Sequence, residues 1–215
     1  MEKIKKYNES LDSTLYIKSV EIISDVNPIK SGIKIDFKNN ICIIVGDNGV
    51  GKSTLLECIR DNYGYVDDTY LRRRNMKTHI KIDDSVSKFN FTYIDFHGDD
   101  RKFSGAFGKD SSLQIQQMKS SSGEVSISLF NKAFNNIEKV RNGVVILDEP
   151  CRGQSIKNKY SVIGLINRLK ALNCQVILTT HCETILSAFK DNAQYYDITN
   201  NRDTTYKEFM IQQLS

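Results

Sequence analysis

The chain has 215 residues, 40% hydrophobic and 26% charged, which is ordinary for a soluble globular protein and enough to bury a core without disulfides or a structural metal. A net charge of +4 and a pI of about 8.7 permit contact with nucleic acid without arguing for it. The longest apolar runs, such as Ile41–Val45, are four to five residues, which excludes a segment that spans a membrane.

Leu15–Ile23 is rich in β-branched and apolar residues and reads as a strand, and Gly32–Phe37 alternates Ile33, Ile35 and Phe37 as a second. Ile41–Val45 is apolar throughout, as a strand buried on both faces must be. A glycine-rich turn and a helix over Lys52–Asn62 follow, then strands at Thr78–Ile82 and Lys88–Phe96. The polar stretch from His97 to Lys119 carries no readable period. Leu129, Phe130, Ala133, Phe134 and Ile137 recur at helical spacing and predict a helix over Glu124–Val140. Val144–Leu147 reads as a buried strand. Ile156–Leu172 reads as an amphipathic helix with Val162, Leu165, Ile166 and Leu169 on one stripe. Val176–Thr180 is a strand, Glu183–Lys190 a helix, and the tail adds a strand near Gln194–Ile198 and a short helix. Strands alternating with helices in the second half indicate an α/β fold with a mainly parallel central sheet flanked by helices. Consecutive strands in the first half suggest an N-terminal antiparallel β lobe. No repeat or linker divides the chain, so residues 1–215 read as one domain.

Two strand ends carry the chemistry. Gly46-Asp47-Asn48-Gly49-Val50-Gly51-Lys52-Ser53 satisfies G-x-x-x-x-G-K-[ST] in full, and Thr54 follows it. Its glycines let the backbone curl so that N–H groups converge on phosphate oxygens, and the helix opening near Gly51 adds its positive end. Lys52 is placed to reach the β- and γ-phosphates of ATP, and the Ser53 hydroxyl to ligate Mg²⁺. The second strand, Val144–Leu147, ends in Asp148-Glu149-Pro150. Asp148, held rigidly at a strand end, suits Mg²⁺, and Glu149 can accept a proton from an attacking water. Two acids in a surface turn would be the alternative, but a phosphate loop upstream makes it the weaker one.

Five segments in order resemble the ABC class of P-loop ATPases. Gly46–Thr54 looks like that class's phosphate loop, and Ser120-Ser121-Ser122-Gly123-Glu124 looks like its signature motif. Leu147-Asp148-Glu149-Pro150 looks like its acidic motif, Gly153-Gln154-Ser155 takes the place of its D-loop, and Val176–His181 looks like the strand leading to its switch histidine. The resemblance implies a P-loop fold of ABC-ATPase type with a short signature-helix region at about 97–140. It implies hydrolysis of ATP with Mg²⁺. Lys52, Glu149 and His181 would be catalytic and Ser53 and Asp148 would bind the metal. Gly46 to Thr54 would bind nucleotide, with Ser121 and Gly123 reaching the ATP of a second copy in a dimer that ATP holds together. Ser121-Ser122-Gly123-Glu124 is also S-x-x-E, a box that caps a helix whether or not it meets a phosphate.

The chain departs from the class pattern. Ser120 replaces Leu, Glu124 replaces Gln, and Ser155 stands where transporters usually carry Asp. No Q-loop glutamine follows Phe96, where His97 and Asp99 lie. Tyr16 and Lys30 are candidates for the adenine, although a strand tyrosine more often packs in a core. Leu71-Arg72-Arg73-Arg74-Asn75-Met76-Lys77 is either a contact for nucleic-acid phosphates or a solvated loop. The short stretch from Lys52 to Gly123 leaves no room for the coiled coil of SMC-type proteins. It resembles the small stand-alone ATPases of bacterial and phage genomes. That branch implies a switch for a separate effector protein in phage defence or DNA repair; the competing expectation is the energy subunit of a membrane transporter. Five cysteines without a CxxC pair, and a polar first ten residues, favour a reduced, cytoplasmic setting with no direct membrane insertion.

Overall fold

A computed structural model describes residues 15–63, 76–84, 89–96, 137–152 and 154–214. Along these residues run β1 (Ile17–Ile22), β2 (Lys34–Asp36), β3 (Ile41–Val45), α1 (Lys52–Asn62), β4 (Ile80–Asp84) and β5 (Asn90–Asp95). Then come β6 (Gly143–Asp148), α2 (Ile156–Ala171), β7 (Gln175–Thr179), α3 (Glu183–Ala188), β8 (Gln194–Asp197), β9 (Arg202–Thr204) and α4 (Tyr206–Leu214). Short 3-10 turns at Met76–His79 and Ile137–Val140 lead towards β4 and β6.

Two sheets result. The larger has the order β5-β6-β7-β3-β8-β9, parallel except for the last strand. The smaller is antiparallel, in the order β2-β1-β4. The central strands are buried on both faces, and successive side chains divide the core in two. Ile41, Ile43 and Val45 of β3 pack with Val145 and Leu147 of β6 and with the α2 stripe Val162, Leu165, Ile166 and Leu169. Cys42 and Ile44 pack on the other face with Leu55, Leu56 and Ile59 of α1 and with the small sheet through Ile17, Val20 and Ile35. The buried Gln175 amide joins the sheets, accepting from the N–H groups of Tyr16 (3.0 Å) and Ile17 (2.8 Å) and donating to Ile17 O (2.9 Å).

The mainly parallel sheet, the flanking helices and the N-terminal antiparallel lobe agree with expectation. Three details differ. Ile137–Val140 is a 3-10 turn, not the end of an α-helix, because buried Ile137 and Val140 seat it against the core. The rest of the expected helix 124–140, and most of the inserted region 97–140, lie outside the described residues. β4 begins at Ile80 because the preceding residues are wound into a turn with Met76 buried. β9 was not anticipated: it is a three-residue polar edge strand, formed because Asn201, at φ +51, turns the chain back on β8.

Candidate active site

In an open parallel sheet, ligands bind beyond the C-terminal strand ends. β7 lies between β6 and β3, so three such ends adjoin. β3 delivers the loop Gly46–Gly51, β6 delivers Asp148 and Glu149, and β7 delivers Thr179 and His181. Together they border an open cleft of about 520 Å³ lined by Asn48, Lys52, Glu149, Arg152 and His181, among others.

The loop needs its glycines. Gly46, Gly49 and Gly51 have φ of +143°, +78° and +109°, a backbone region that L side chains rarely adopt. A Cβ at Gly51 would stand 2.4 Å from Ile29 Cγ1, and one at Gly46 would stand 2.8 Å from Thr199 Oγ1. Gly51 also occupies the N-cap of α1 and offers no side-chain acceptor, so the first-turn N–H groups of α1 have no side-chain cap from that position. That arrangement suits an anion. Lys52 Nζ donates to Gly46 O and Asp47 O, both at 2.9 Å, and is held across the loop it serves. Burial pulls its ammonium below the ordinary lysine range, against the opposing pull of Glu149, Asp148 and Asp47.

Asp148 is 1% exposed and sits among hydroxyls. Thr179 donates to its Oδ1 at 2.6 Å and Ser53 to the same oxygen at 3.1 Å, while Tyr93 donates to Oδ2 at 3.3 Å. Burial, then the Asp148 charge, push the Tyr93 phenol well above its ordinary pKa, so it remains a donor. Ser53 Oγ and the Asp148 carboxylate form an oxygen donor set of the hard kind that Mg²⁺ takes. No group of three or more His, Cys, Asp or Glu gathers among the described residues.

Glu149 has φ +50°; the other non-glycine residues with positive φ, Asn142, Asn173 and Asn201, are all of the type that tolerates it. The strain, about 1–2 kcal/mol for such a residue, is held by its neighbours. The Glu149 N–H donates to Thr179 O and Oγ1, both at 3.2 Å, and its carbonyl accepts from the Arg152 N–H at 3.0 Å. Glu149 Oε1 then lies 3.6 Å from His181 Nε2. Burial and the Lys52 charge lower the His181 pKa from 6.5, against Glu149 and Asp47.

Of the residues singled out from the sequence, Asn48, Gly49, Gly51, Lys52, Ser53, Thr54, Glu149 and His181 line one cleft, and Asp148 bonds to Ser53 beneath it. Gly46 and Asp47 close the loop through Lys52, with Val50 packed against the core. Ser121, Gly123, His97, Asp99, Gly153 and Arg72–Arg74 lie outside the described residues. Tyr16 is not at the cleft: it is buried, and its hydroxyl bonds to Asn173, which follows α2 at the opposite end of β7. Lys30 is paired with Asp25 on the surface. Ser155, expected in the D-loop, caps α2 by accepting from the Asn158 N–H at 3.4 Å. Thr179, Tyr93, Pro28 and Arg152 were missed, because no spacing rule marks a strand hydroxyl or a loop residue that meets the site only in three dimensions.

Residues 14–142, more than half of the chain, match the model of a family described as an AAA domain. The zinc import ATP-binding protein ZnuC of Buchnera aphidicola (subsp. Acyrthosiphon pisum) is 26% identical over 72% of this chain and 68% of its own length. ZnuC of Histophilus somni is 28% identical over 77% of this chain and 66% of its own length, so the chain spans about two thirds of these relatives. Among solved structures, an ATP-binding cassette of an ABC transporter in its ADP conformation superposes with a TM-score of 0.55 at 15% identity, covering 89% of this chain and 90% of the other. The protein cbiO1 of Clostridium perfringens, part of an ABC transporter complex, gives 0.53 at 17% identity over 93% and 92%. With its phosphate loop, acidic strand end and sheet order, the chain belongs to the AAA domain family and is a P-loop ATPase of the ABC class.

Proposed function

We propose that this cleft binds ATP with Mg²⁺, hydrolyses it through Glu149, and drives a separate membrane-embedded partner. One observation carries the first part: β3, β6 and β7 bring Lys52, Ser53, Asp148, Glu149 and His181 to one cleft. The loop N–H groups and Lys52 bind the β- and γ-phosphates. Ser53 and Asp148 hold Mg²⁺, which neutralises charge on the phosphates when bound. Glu149 accepts the proton of the attacking water. His181 Nε2, beside Glu149, donates to the terminal phosphate. Ser121 and Gly123 serve the ATP of a second copy, so the working form is an ATP-dependent homodimer at the cytoplasmic face.

The membrane partner rests on the relatives, which are named as zinc import ATP-binding proteins. They support the transporter reading over the effector switch in phage defence or DNA repair that the short stretch from Lys52 to Gly123 suggested. The described residues contain no helix long and apolar enough to cross a membrane, so the partner supplies the crossing. The test is fractionation of host cells expressing a tagged chain. The expected result is recovery with the membrane and release by mild detergent in complex with a polytopic protein. Recovery away from the membrane, bound to a nuclease or to nucleic acid, overturns the membrane part and leaves the hydrolytic site standing.

A further inference from the structure

Arg152 lines the same cleft as Lys52, Glu149 and His181, yet the functions assigned above do not use it. Its position is fixed by a short turn. The Arg152 N–H donates to Glu149 O at 3.0 Å, so the arginine is joined to the residue that activates water. Pro150 and Cys151, between them, are buried, and Cys151 packs into the core around α2. The turn is braced from behind, where Gln154 Nε2 donates to Pro150 O at 3.0 Å and the Gln154 N–H donates to Cys151 O at 3.2 Å. The backbone of Arg152 is thus anchored, and the residue is exposed and lines the cleft.

The charge of the cleft shows what Arg152 can do. Among the described lining residues, Lys52 and Arg152 are the lysine and the arginine. Lys52 is drawn into the loop through Gly46 O and Asp47 O. In the transition state the terminal phosphoryl group lies in line between the attacking water and the leaving oxygen, with negative charge spread over its equatorial oxygens. A guanidinium is always charged and offers a planar fork that matches two phosphate oxygens. Arg152 lies three residues beyond Glu149 and lines the same cleft.

We infer that Arg152 is a catalytic residue that contacts the γ-phosphate of the ATP held in its own cleft and stabilises the transferring phosphoryl group. This rests on the reading that the cleft binds ATP. The contact is made to ATP and not to ADP, so Arg152 distinguishes substrate from product.

The experiment is isothermal titration of the full chain with ADP and with a slowly hydrolysed imido analogue of ATP, both with Mg²⁺, for the wild type, Arg152→Ala and Arg152→Lys. Phosphate release is measured on the same samples. Arg152→Ala is expected to weaken the ATP analogue by about 10-fold or more while ADP affinity stays within about threefold, and to slow turnover by roughly 100-fold or more. Arg152→Lys keeps the charge but not the fork and falls between. Retained ADP binding shows that the variants are folded; should Arg152→Ala not fold, Arg152→Gln takes its place. Equal weakening of both nucleotides, or weakening of neither, overturns the role of Arg152 and leaves the ATP site intact. A wild-type chain that binds neither nucleotide overturns the site and Arg152 together.

Discussion

Thr179→Val tests how the metal-binding carboxylate is held. Thr179 is fully buried; its hydroxyl donates to Asp148 Oδ1 at 2.6 Å and accepts from the Glu149 N–H at 3.2 Å. Valine has nearly the same shape and neither function. A hydrogen bond to a charged group is worth about 1.5–3 kcal/mol. Asp148 keeps Ser53 and Tyr93, which places the loss in the lower half, about 1.5–2 kcal/mol. For a chain of this size that is a fall in Tm of about 3–8 °C. Asp148 is also freed to rotate, so the Mg²⁺ concentration for half-maximal ATP hydrolysis should rise by about 10-fold, the equivalent of about 1.4 kcal/mol. Thr179→Ser keeps the hydroxyl and loses one methyl, about 1 kcal/mol, and should leave the Mg²⁺ dependence unchanged. Urea unfolding and a Mg²⁺ titration of phosphate release read both effects. A valine variant with wild-type Mg²⁺ dependence, or a serine variant that behaves like the valine one, would refute the role given to the hydroxyl.

Gly51→Ala should destabilise the fold by about 2–5 kcal/mol, from the strained backbone and the Ile29 contact. Gly49→Ala, with nothing within 4 Å of the new methyl, should cost about 1–2 kcal/mol, so equal losses by urea unfolding would contradict the packing argument. His181 titrates below 6.5 in the fold, so the unfolded chain binds more protons just below that pH. Its contribution to stability is therefore present above pH 6.5 and lost as pH falls through the folded pKa. Removing the Lys52 charge by Lys52→Met should raise the His181 pKa, and Glu149→Gln should lower it further, both read from its imidazole NMR signals. Shifts of the opposite sign would refute the electrostatic account.

The sequence carried the parts of the fold and site that depend on local pattern. The apolar run Ile41–Val45 and the loop that follows specify a buried strand, a glycine turn and a helix over Ile41–Asn62, because each glycine answers a steric demand there. The stripe Val162, Leu165, Ile166 and Leu169 was legible because a helix repeats its contacts every three to four residues. Asp148 and Glu149 stood out as acids at the end of an apolar strand. What escaped depends on chain crossings. Thr179 matters because β7 runs beside β6, and Tyr93 because β5 pairs with β6 on its other side. Tyr16 was readable as an adenine contact until the Gln175 amide placed it at the N-terminal end of β7, opposite the end that borders the cleft. β9 escaped because a turn, not a hydrophobic pattern, makes it a strand.

The most direct test is hydrolysis by Glu149→Gln. Phosphate release from ATP with Mg²⁺ should fall by about 100-fold or more when the base is removed, while ATP binding, measured on the same sample, is retained. A rate within a few-fold of wild type would show that Glu149 is not the base, and that the cleft formed by β3, β6 and β7 does not hydrolyse ATP in the way described.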